Sequence, residues 1–265
     1  MSWTILHAQH IGARDEQQDR VAAFPLPRPD THLCVLADGM GGHPRGAEAA
    51  QAVINAAKPF SHATADAPQG SPQGSPQGLP QGSPQGSPQD PFGVLERLCN
   101  AAHAKIRELG TGGASSPGST CVVMLACATQ AYWAHVGDSR LYQFRDGELI
   151  RATEDHSVAM LVAKQRGGAA PALASNAVYR RLGSEDPPLP DYDSVELAHG
   201  DTFLLSSDGF WDQFSPRELA VHLSDVELER EPLEALVNRA TKRAGDRADN
   251  ASVLLARWHD PSEPG

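Results

Sequence analysis

Long apolar runs, an excess of basic residues and closely spaced cysteines are all missing from this sequence, and each absence excludes a class of protein. No stretch approaches the roughly 20 apolar residues that cross a bilayer, and the start has no basic flank followed by the apolar stretch of a secretion signal. Acidic residues outnumber basic ones by 33 to 22, giving a formal net charge of -11. That charge disfavours nucleic acid or an anionic membrane as the main partner. We therefore expect a soluble, cytoplasmic protein.

Cysteine is scarce, and its spacing does not predict disulfides. No CxxC pair occurs among Cys34, Cys99, Cys121 and Cys127, and three of the four lie in apolar, strand-like runs. This pattern predicts small buried hydrophobic side chains in a reducing compartment.

The chain of 265 residues is long enough for one large domain or two small ones. Residues 68–89 repeat Pro-Gln-Gly-Ser with a single variant at Leu79, and they contain almost nothing to bury. Proline and glycine in every repeat disfavour both helices and strand ladders. We therefore predict one domain over residues 1–260, with a low-complexity surface insertion at 63–90 and a polar tail at 261–265.

Apolar periodicity, caps and turn residues predict alternating helices and strands on both sides of the insertion. Asp90 followed by Pro91 is typical of a helix start, Ser215-Pro216-Arg217-Glu218 of a capping box, and Asp146-Gly147 of a two-residue hairpin turn. The predicted helices cover 46–57, ending at Pro59, then 91–109, 157–165, 216–223 and 232–244. The predicted strands cover 33–37, 120–128, 132–136, 141–145, 148–152, 202–206 and 251–258, and residues 167–193 are predicted to form a flap.

The apolar run 33–37 ends on an acid, Asp38, which is followed by Gly39 and then by further glycines at 41 and 42. A buried strand cannot carry a carboxylate without a partner, so we expect Asp38 to lie just past the end of the strand. Glycines let the backbone approach a ligand closely, and hard cations such as Mg²⁺ and Mn²⁺ accept carboxylate and carbonyl oxygens. The alternative is an ordinary strand, turn and helix.

The same arrangement recurs at three further acids, Asp138, Asp208 and Asp249, each at one end of an apolar run. One such acid is usually a turn residue, but four on separate strands favour a cluster. Clustered carboxylates repel each other unless a cation lies between them. Oxygen ligands without a Cys or His set favour Mg²⁺ or Mn²⁺ over Zn²⁺.

Read in order, these stretches resemble the type-2C family of metal-dependent protein phosphatases, and the bacterial members in particular. The resemblance covers nearly the whole chain. The matching motifs are Arg14-x-x-x-Gln18-Asp19, Ala37-Asp38-Gly39-Met40-Gly41-Gly42-His43, Gly118-Ser119-Thr120, Val136-Gly137-Asp138-Ser139-Arg140-Leu141-Tyr142, Thr153-Glu154-Asp155-His156-Ser157, Leu205-Ser206-Ser207-Asp208-Gly209-Phe210-Trp211-Asp212 and Asp249-Asn250-Ala251-Ser252-Val253.

The resemblance implies an α+β fold, a four-layer αββα sandwich in which helical pairs cover two antiparallel sheets. It also implies a metal site. Asp38 bridges two Mn²⁺ or Mg²⁺ ions, Gly39 donates its carbonyl to one of them, and Asp208 and Asp249 bind the other. Asp138, together with Asp208, matches the pair that holds a third, weaker metal in bacterial relatives.

Further roles follow from the same resemblance. Arg14 matches the arginine that binds the substrate phosphate, a task that suits a planar, permanently charged side chain. Met40 stands where eukaryotic members carry a histidine proposed as the general acid, so His43 is the candidate acid here, with a structural role in the glycine turn as the alternative. The residues expected to support the metal ligands are Gln18, Asp19, Asp212 and Asn250.

The function implied is hydrolysis of phosphoserine and phosphothreonine in proteins, by direct attack of a metal-bridging water. The implied partners are phosphorylated proteins and a bacterial Ser/Thr kinase, and we expect a monomer. One alternative is a non-enzymatic phosphoprotein-binding module on the same fold, and another is an enzyme for small phosphate esters or phosphotyrosine. A degenerate module usually loses a core acid, whereas Asp38, Asp208 and Asp249 are all present.

Overall fold

The computed structural model describes residues 2–40, 45–62, 90–110, 116–167, 177–224 and 229–260. Its strands are β1 (Ser2–His10), β2 (Asp19–Pro25), β3 (His32–Met40), β4 (Gly118–Ser119), β5 (Cys121–Ala126), β6 (Gln130–Val136), β7 (Arg140–Arg145), β8 (Glu148–Ala152), β9 (Asp191–Glu196), β10 (Thr202–Ser206) and β11 (Ala251–His259). They form two antiparallel sheets. One has the strand order β1-β11-β10-β7-β8, and the other has the order β2-β3-β5-β6-β9, with the short β4 paired to β3.

The helices lie in sequence blocks between the strands. They are α1 (Arg45–His62), α2 (Pro91–Leu109), α3 (Val158–Arg166), α4 (Asp208–Trp211), α5 (Pro216–Ser224) and α6 (Arg230–Ala244), with a 3₁₀ turn at Gly245–Arg247. Two predicted caps are confirmed. The Asp90 carboxylate accepts a hydrogen bond from the Gly93 amide at the start of α2, and Ser215 and Glu218 form a capping box at the start of α5.

Apolar side chains on alternating strand positions build the layers. Leu36, Met124 and Phe203 belong to a cluster between the two sheets. Leu33 and Val35, on the opposite face of β3, pack with the residues of α1 and α2 instead. Because β3 is covered on both faces, its apolar run is continuous rather than alternating. A third cluster joins the five-stranded sheet to α4, α5 and α6, so the predicted αββα sandwich is confirmed.

The predicted end of the first helix at Pro59 is wrong. α1 continues to His62 with Pro59 inside it. A proline so close to the end of a helix removes a single backbone hydrogen bond, and Phe60, the next residue, packs against the core. Burial of that ring favours the extra turn over an end at the proline.

The predicted position of Asp38 just past a strand is also wrong, because β3 continues to Met40. β2 pairs Asp19 with Asp38, and β4 pairs Ser119 with Gly39. Backbone hydrogen bonds from both neighbours therefore extend the strand through the acid. The carboxylate finds its partners at the site described below.

The segment 167–193, predicted as a flap, ends in a strand. Residues 191–193 open β9, which pairs with β6, and Leu182 has no exposed surface and packs in the core. Residues 168–176, the repeat at 68–89, His43 and the tail at 261–265 lie outside the described residues. Among the residues that the structure does describe, no helix is both long and apolar enough to cross a membrane.

Candidate metal and phosphate site

Four acids from separate elements meet at one end of the sandwich. Asp38 comes from β3 of one sheet, and Asp138 follows β6 of the same sheet through Gly137. Asp208 begins α4 directly after β10 of the other sheet, and Asp249 precedes β11. The charges of the other three acids all raise the pKa of Asp38, as expected for side chains that lie close together.

Glycines allow these segments to approach one another. A side chain on Gly39 would collide with the carbonyl oxygen of Gly46 at the start of α1. One on Gly209 would collide with the carbonyl oxygen of Asn250. The glycine beside each acid is therefore required by close backbone packing, in addition to any role as a ligand.

The backbone of Asp38 is held by the Gly118-Ser119-Thr120 motif. Thr120 donates its amide to the Asp38 carbonyl at 2.9 Å, and its hydroxyl accepts from the Asp38 amide at 2.9 Å. The Ser119 hydroxyl also donates to the Asp38 carbonyl, at 3.0 Å. These bonds leave the carboxylate of Asp38 as the only part of the residue available to the cluster. The sequence pointed to this motif but did not assign it a role.

The carboxylates of the cluster perturb one another strongly. Burial and the charges of Asp19, Asp208 and Asp138 raise the pKa of Asp38 well above its ordinary value. Burial and the charge of Asp249 raise the pKa of Asp208. These shifts indicate that the cluster carries more negative charge than its surroundings can stabilise.

This donor set fits a divalent cation. Burial and the neighbouring charges of Asp208 and Asp155 raise the pKa of Asp138 to about 7. The Oδ1 atom of Asp138 is buried and has no hydrogen-bond partner among the described residues, which is costly unless a cation or another polar group satisfies it. Oxygen donors of this kind suit Mg²⁺ or Mn²⁺.

Asp19 and Asn250 lie behind the acids and fix the loops around them. Asp19 is buried and accepts a hydrogen bond from the Ser207 hydroxyl at 2.7 Å. Burial is the main cause that raises the Asp19 pKa to about 7. Asn250 accepts from the Gln18 amide at 2.7 Å and donates to the Ile11 carbonyl at 2.8 Å. The amide side chain of Asn250 thereby ties the loop that carries Arg14 to the strand end that carries Asp249.

Arg14 lies at the rim of the cluster. Its Nη2 atom is 2.5 Å from Oδ2 of Asp249, and the arginine side chain is 60% exposed. The guanidinium group is thus at the site, accessible to solvent, and bound to one of the candidate metal ligands.

Arg140 and Trp211 support Asp138, and sequence reasoning gave neither residue a role. Arg140 binds Asp155 through two hydrogen bonds of 2.7 Å. Its guanidinium carbon lies 3.4 Å from the centre of the Trp211 ring. The indole nitrogen of Trp211 donates to the Asp138 carbonyl at 3.0 Å. Both residues lie in matched motifs beside an acid, but nothing in the sequence indicated that Arg140 and Trp211 contact each other.

A cleft of about 620 Å³ opens beside the acids. Asp138, Asp208 and Asp249 form its floor, and Asp212 lies exposed at its edge. The remaining wall residues are Arg140, Asp155, Ser157, Ala159, Met160, Ala163, Gly209, Trp211, Gln213, Ala244 and Arg247.

A second group of potential metal ligands, His135, His156 and Asp191, is not arranged for a metal. Nδ1 of His156 accepts a hydrogen bond from the Gly137 amide at 3.1 Å, and its Nε2 lies 3.3 Å from Oδ2 of Asp191 and 3.4 Å from Nη1 of Arg180. The rings of His135 and His156 stack with an interplanar angle of 15°. Ligand lone pairs lie in the ring plane, so stacked rings do not direct them at a common ion.

Comparison with known proteins identifies the fold and its family. The family model described as protein phosphatase 2C matches residues 8–246. The chain belongs to the protein phosphatase 2C family. This phosphatase is 29% identical over 254 residues to protein phosphatase PhpP of Streptococcus pneumoniae, a match that covers 93% of this chain and 94% of the relative. It is also 29% identical to the serine/threonine protein phosphatase PstP of Mycobacterium tuberculosis, over 84% of this chain but only 40% of PstP.

Solved structures of serine/threonine phosphatases are similar along almost the whole chain. The S. agalactiae serine/threonine phosphatase superposes with a TM-score of 0.79 at 25% identity, covering 97% of this phosphatase and 100% of that chain. The catalytic domain of PstP, in complex with two manganese ions, gives a TM-score of 0.75 at 26% identity, covering 97% and 99%. The family and the fold that the motifs predicted are both confirmed.

Proposed function

We propose that this chain hydrolyses phosphoserine and phosphothreonine in proteins with the help of Mn²⁺ or Mg²⁺. The observation that carries the proposal is the cluster of Asp38, Asp138, Asp208 and Asp249, whose mutual repulsion calls for a cation. The membership of this chain in the protein phosphatase 2C family supports the same activity.

The proposed ligands of two cations are the carboxylates of Asp38, Asp208 and Asp249 and the carbonyl of Gly39. Asp138, with Asp208, is the proposed holder of a third, weaker cation. When bound, such cations make water a stronger nucleophile at neutral pH and offset the charge that develops on the phosphoryl oxygens. The three-dimensional arrangement supports this assignment, because Asp138, Asp208 and Asp249 line a cleft open to solvent and raise the pKa of the neighbouring Asp38.

The remaining residues bind the substrate phosphate and hold the loops around the site in place. Arg14 is the proposed phosphate ligand, since an exposed guanidinium next to Asp249 can donate two parallel hydrogen bonds to phosphoryl oxygens. Asp19, Gln18 and Asn250 hold the loops and the surrounding polar groups in place. Hydrolysis breaks the bond between phosphorus and the side-chain oxygen, which then takes up a proton, and His43 is the proposed donor.

The proposed partners are phosphorylated proteins and the Ser/Thr kinase that modifies them. An open cleft is compatible with a segment of polypeptide, which must bring its phosphorylated side chain down to the acids. We also propose a monomer and a cytoplasmic location. The free thiols of the four cysteines are compatible with a reducing compartment.

The test measures phosphate release from a phosphothreonine peptide in the presence of Mn²⁺, with and without a chelator, for the wild type and Asp208→Asn. We expect chelation or the substitution to abolish turnover. Thermal unfolding is the second readout: Mn²⁺ should raise the Tm of the wild type and should raise that of Asp208→Asn much less. Glu234→Gln, which changes an exposed acid on α6, is the matched control.

Activity after exhaustive chelation, or wild-type turnover by folded Asp208→Asn, would refute the proposal. A fully folded wild type that binds the phosphopeptide but releases no phosphate would instead support the non-enzymatic binding module.

A further inference from the structure

The walls of the cleft differ in chemistry from its floor. One wall is α3, which presents Ala159, Met160 and Ala163 to the cleft and has no buried residue along its length. Ala244, at the end of α6, and Arg247, in the 3₁₀ turn, also line the cleft. A polypeptide bound there would therefore meet both apolar side chains of α3 and an arginine.

Arg247 is the cation of the cleft that has no partner within the described part of the chain. Arg140 is the other cation in the lining, and its guanidinium is bound by Asp155 and covered by the Trp211 ring. Arg247 is exposed, and its side chain makes no ion pair or hydrogen bond with any described residue. It remains so although five acids line the same cleft: Asp138, Asp155, Asp208, Asp212 and Asp249.

The backbone beneath Arg247 is anchored, so its position relative to the acids is defined. The next residue, Ala248, is buried, donates its amide to the Gly245 carbonyl at 3.0 Å and accepts from the Ala13 amide at 2.8 Å. Only Ala248 separates Arg247 from Asp249, which limits the distance between their Cα atoms to about 7 Å. A substrate whose phosphate lies at Asp249 thus has its neighbouring residues within reach of this arginine.

We infer that Arg247 selects phosphopeptides with a carboxylate close to the phosphorylated residue. The inference rests on the proposed function and names a substrate feature for the same site. Among the described residues that line the cleft, Arg247 is the cation left free to attract an acidic side chain, beside the acids of the floor and in a chain of net charge -11. Basic side chains at the same position would meet Arg247 and be repelled.

The test compares three phosphothreonine peptides of equal length whose flanking residues are Glu, Gln or Lys. The kcat/KM ratio of the Glu peptide to the Lys peptide is measured with Mn²⁺ for the wild type, Arg247→Ala and Arg247→Glu. Arg217→Glu is the matched control, because Arg217 is an exposed arginine on α5 outside the cleft. Using a ratio within each variant removes any change in overall turnover.

We expect the wild type to prefer the Glu peptide through a lower KM. Arg247→Glu should reduce the ratio by about two- to fivefold, as expected for exposed charge pairs, and Arg217→Glu should leave it near the wild-type value. The wild-type preference should also shrink at high salt.

An equal ratio in the wild type and Arg247→Glu would overturn the inference while leaving the proposed function intact. An equal loss on all three peptides in Arg247→Ala would assign Arg247 to the phosphate itself and would also overturn it. Absence of turnover on every peptide by the folded, Mn²⁺-supplied wild type would refute the proposed function instead.

Discussion

Arg14 and Asp249 form an ion pair, with Nη2 of the arginine 2.5 Å from Oδ2 of the carboxylate. The two residues lie far apart in the sequence, and they were assigned different tasks, phosphate binding for one and metal binding for the other. A cation that takes Asp249 as a ligand therefore shares that carboxylate with Arg14. This ion pair therefore links the proposed phosphate-binding residue to a proposed metal ligand.

The pair leads to a prediction for Arg14→Ala. Without the arginine, Asp249 is fully available to a cation, so Mn²⁺ should bind as tightly as in the wild type or up to about fivefold more tightly, the range for an exposed pair. The KM for phosphopeptides should rise, because a phosphate contact is lost. Calorimetry with Mn²⁺ and steady-state kinetics check the two parts separately. Arg14→Lys, which keeps the charge but not the planar fork, is the control, and weaker Mn²⁺ binding by Arg14→Ala would contradict this account.

A second prediction concerns Arg140→Lys. The arginine binds Asp155 through two hydrogen bonds and stacks on Trp211, which in turn holds the Asp138 carbonyl. Lysine cannot make the planar double contact. We expect a loss of about 1–3 kcal/mol in the free energy of unfolding and a higher Mn²⁺ concentration for half-maximal activity, since the backbone at Asp138 loses its support.

The matched control is Arg151→Lys, which changes an arginine that pairs with Asp193 near the surface. Exposed pairs contribute about 0–1 kcal/mol, so the control should unfold almost like the wild type. Urea denaturation and Mn²⁺ titration of activity measure both variants. Equal effects in the two would show that Arg140 has no special connection to the metal site.

Local patterns predicted the site acids because each follows or precedes an apolar run, and such runs are visible in a single sequence. They also predicted α2 and α5, whose caps are encoded in neighbouring residues. The strand position of Asp38 was missed for a different reason. It depends on pairing with Asp19 and on β4, and neither partner is visible from the run itself.

Two other omissions have the same physical origin. β9 is half exposed and rich in polar residues, Asp191-Tyr192-Asp193-Ser194-Val195-Glu196, so its apolar periodicity is weak, and only its pairing with β6 makes it a strand. Trp211 donates to Asp138 across 73 positions of the chain. Long-range hydrogen bonds of this kind leave no signal in a single sequence.

A third prediction uses the pH dependence of stability. His135 is buried, its Nε2 lies 2.9 Å from the Glu154 carbonyl, and its Nδ1 has no partner among the described residues. Burial lowers the pKa of His135, and the nearby His156 ring lowers it further. The Glu154 carbonyl and the carboxylates of Asp191 and Asp155 act in the opposite direction.

Because the folded pKa of His135 lies below the unfolded value near 6.5, the unfolded state binds more protons as the pH falls below about 6.5. Stability contributed by the neutral ring is therefore present above that pH and is lost below it. His135→Gln keeps a donor for Glu154 but cannot titrate. Its unfolding free energy should decline less between pH 7 and 5 than that of the wild type, with a difference of at most about tenfold in the unfolding equilibrium per pH unit. Parallel pH profiles would exclude His135 from the acid response.

The last prediction concerns the Pro-Gln-Gly-Ser repeat, which lies between two helices that share one core. Phe60, near the end of α1, and Phe92, near the start of α2, both pack against the same apolar cluster, so these helices are held together by their own side chains. The repeat contains no apolar residue to bury except Leu79. Excision of residues 68–89 leaves a connection of a length common between paired helices, and shortening it changes the loop-closure free energy by only about 1 kcal/mol. We therefore expect the excised variant to match the full chain in Tm and in turnover of a small phosphopeptide, while binding of a large phosphoprotein is measured in parallel.

A control that replaces the repeat by an equally long Gly-Ser segment separates the effect of its length from that of its composition. Loss of small-peptide turnover in a soluble, folded excision variant, restored by the Gly-Ser segment, would show instead that the length of this connection is needed at the active site.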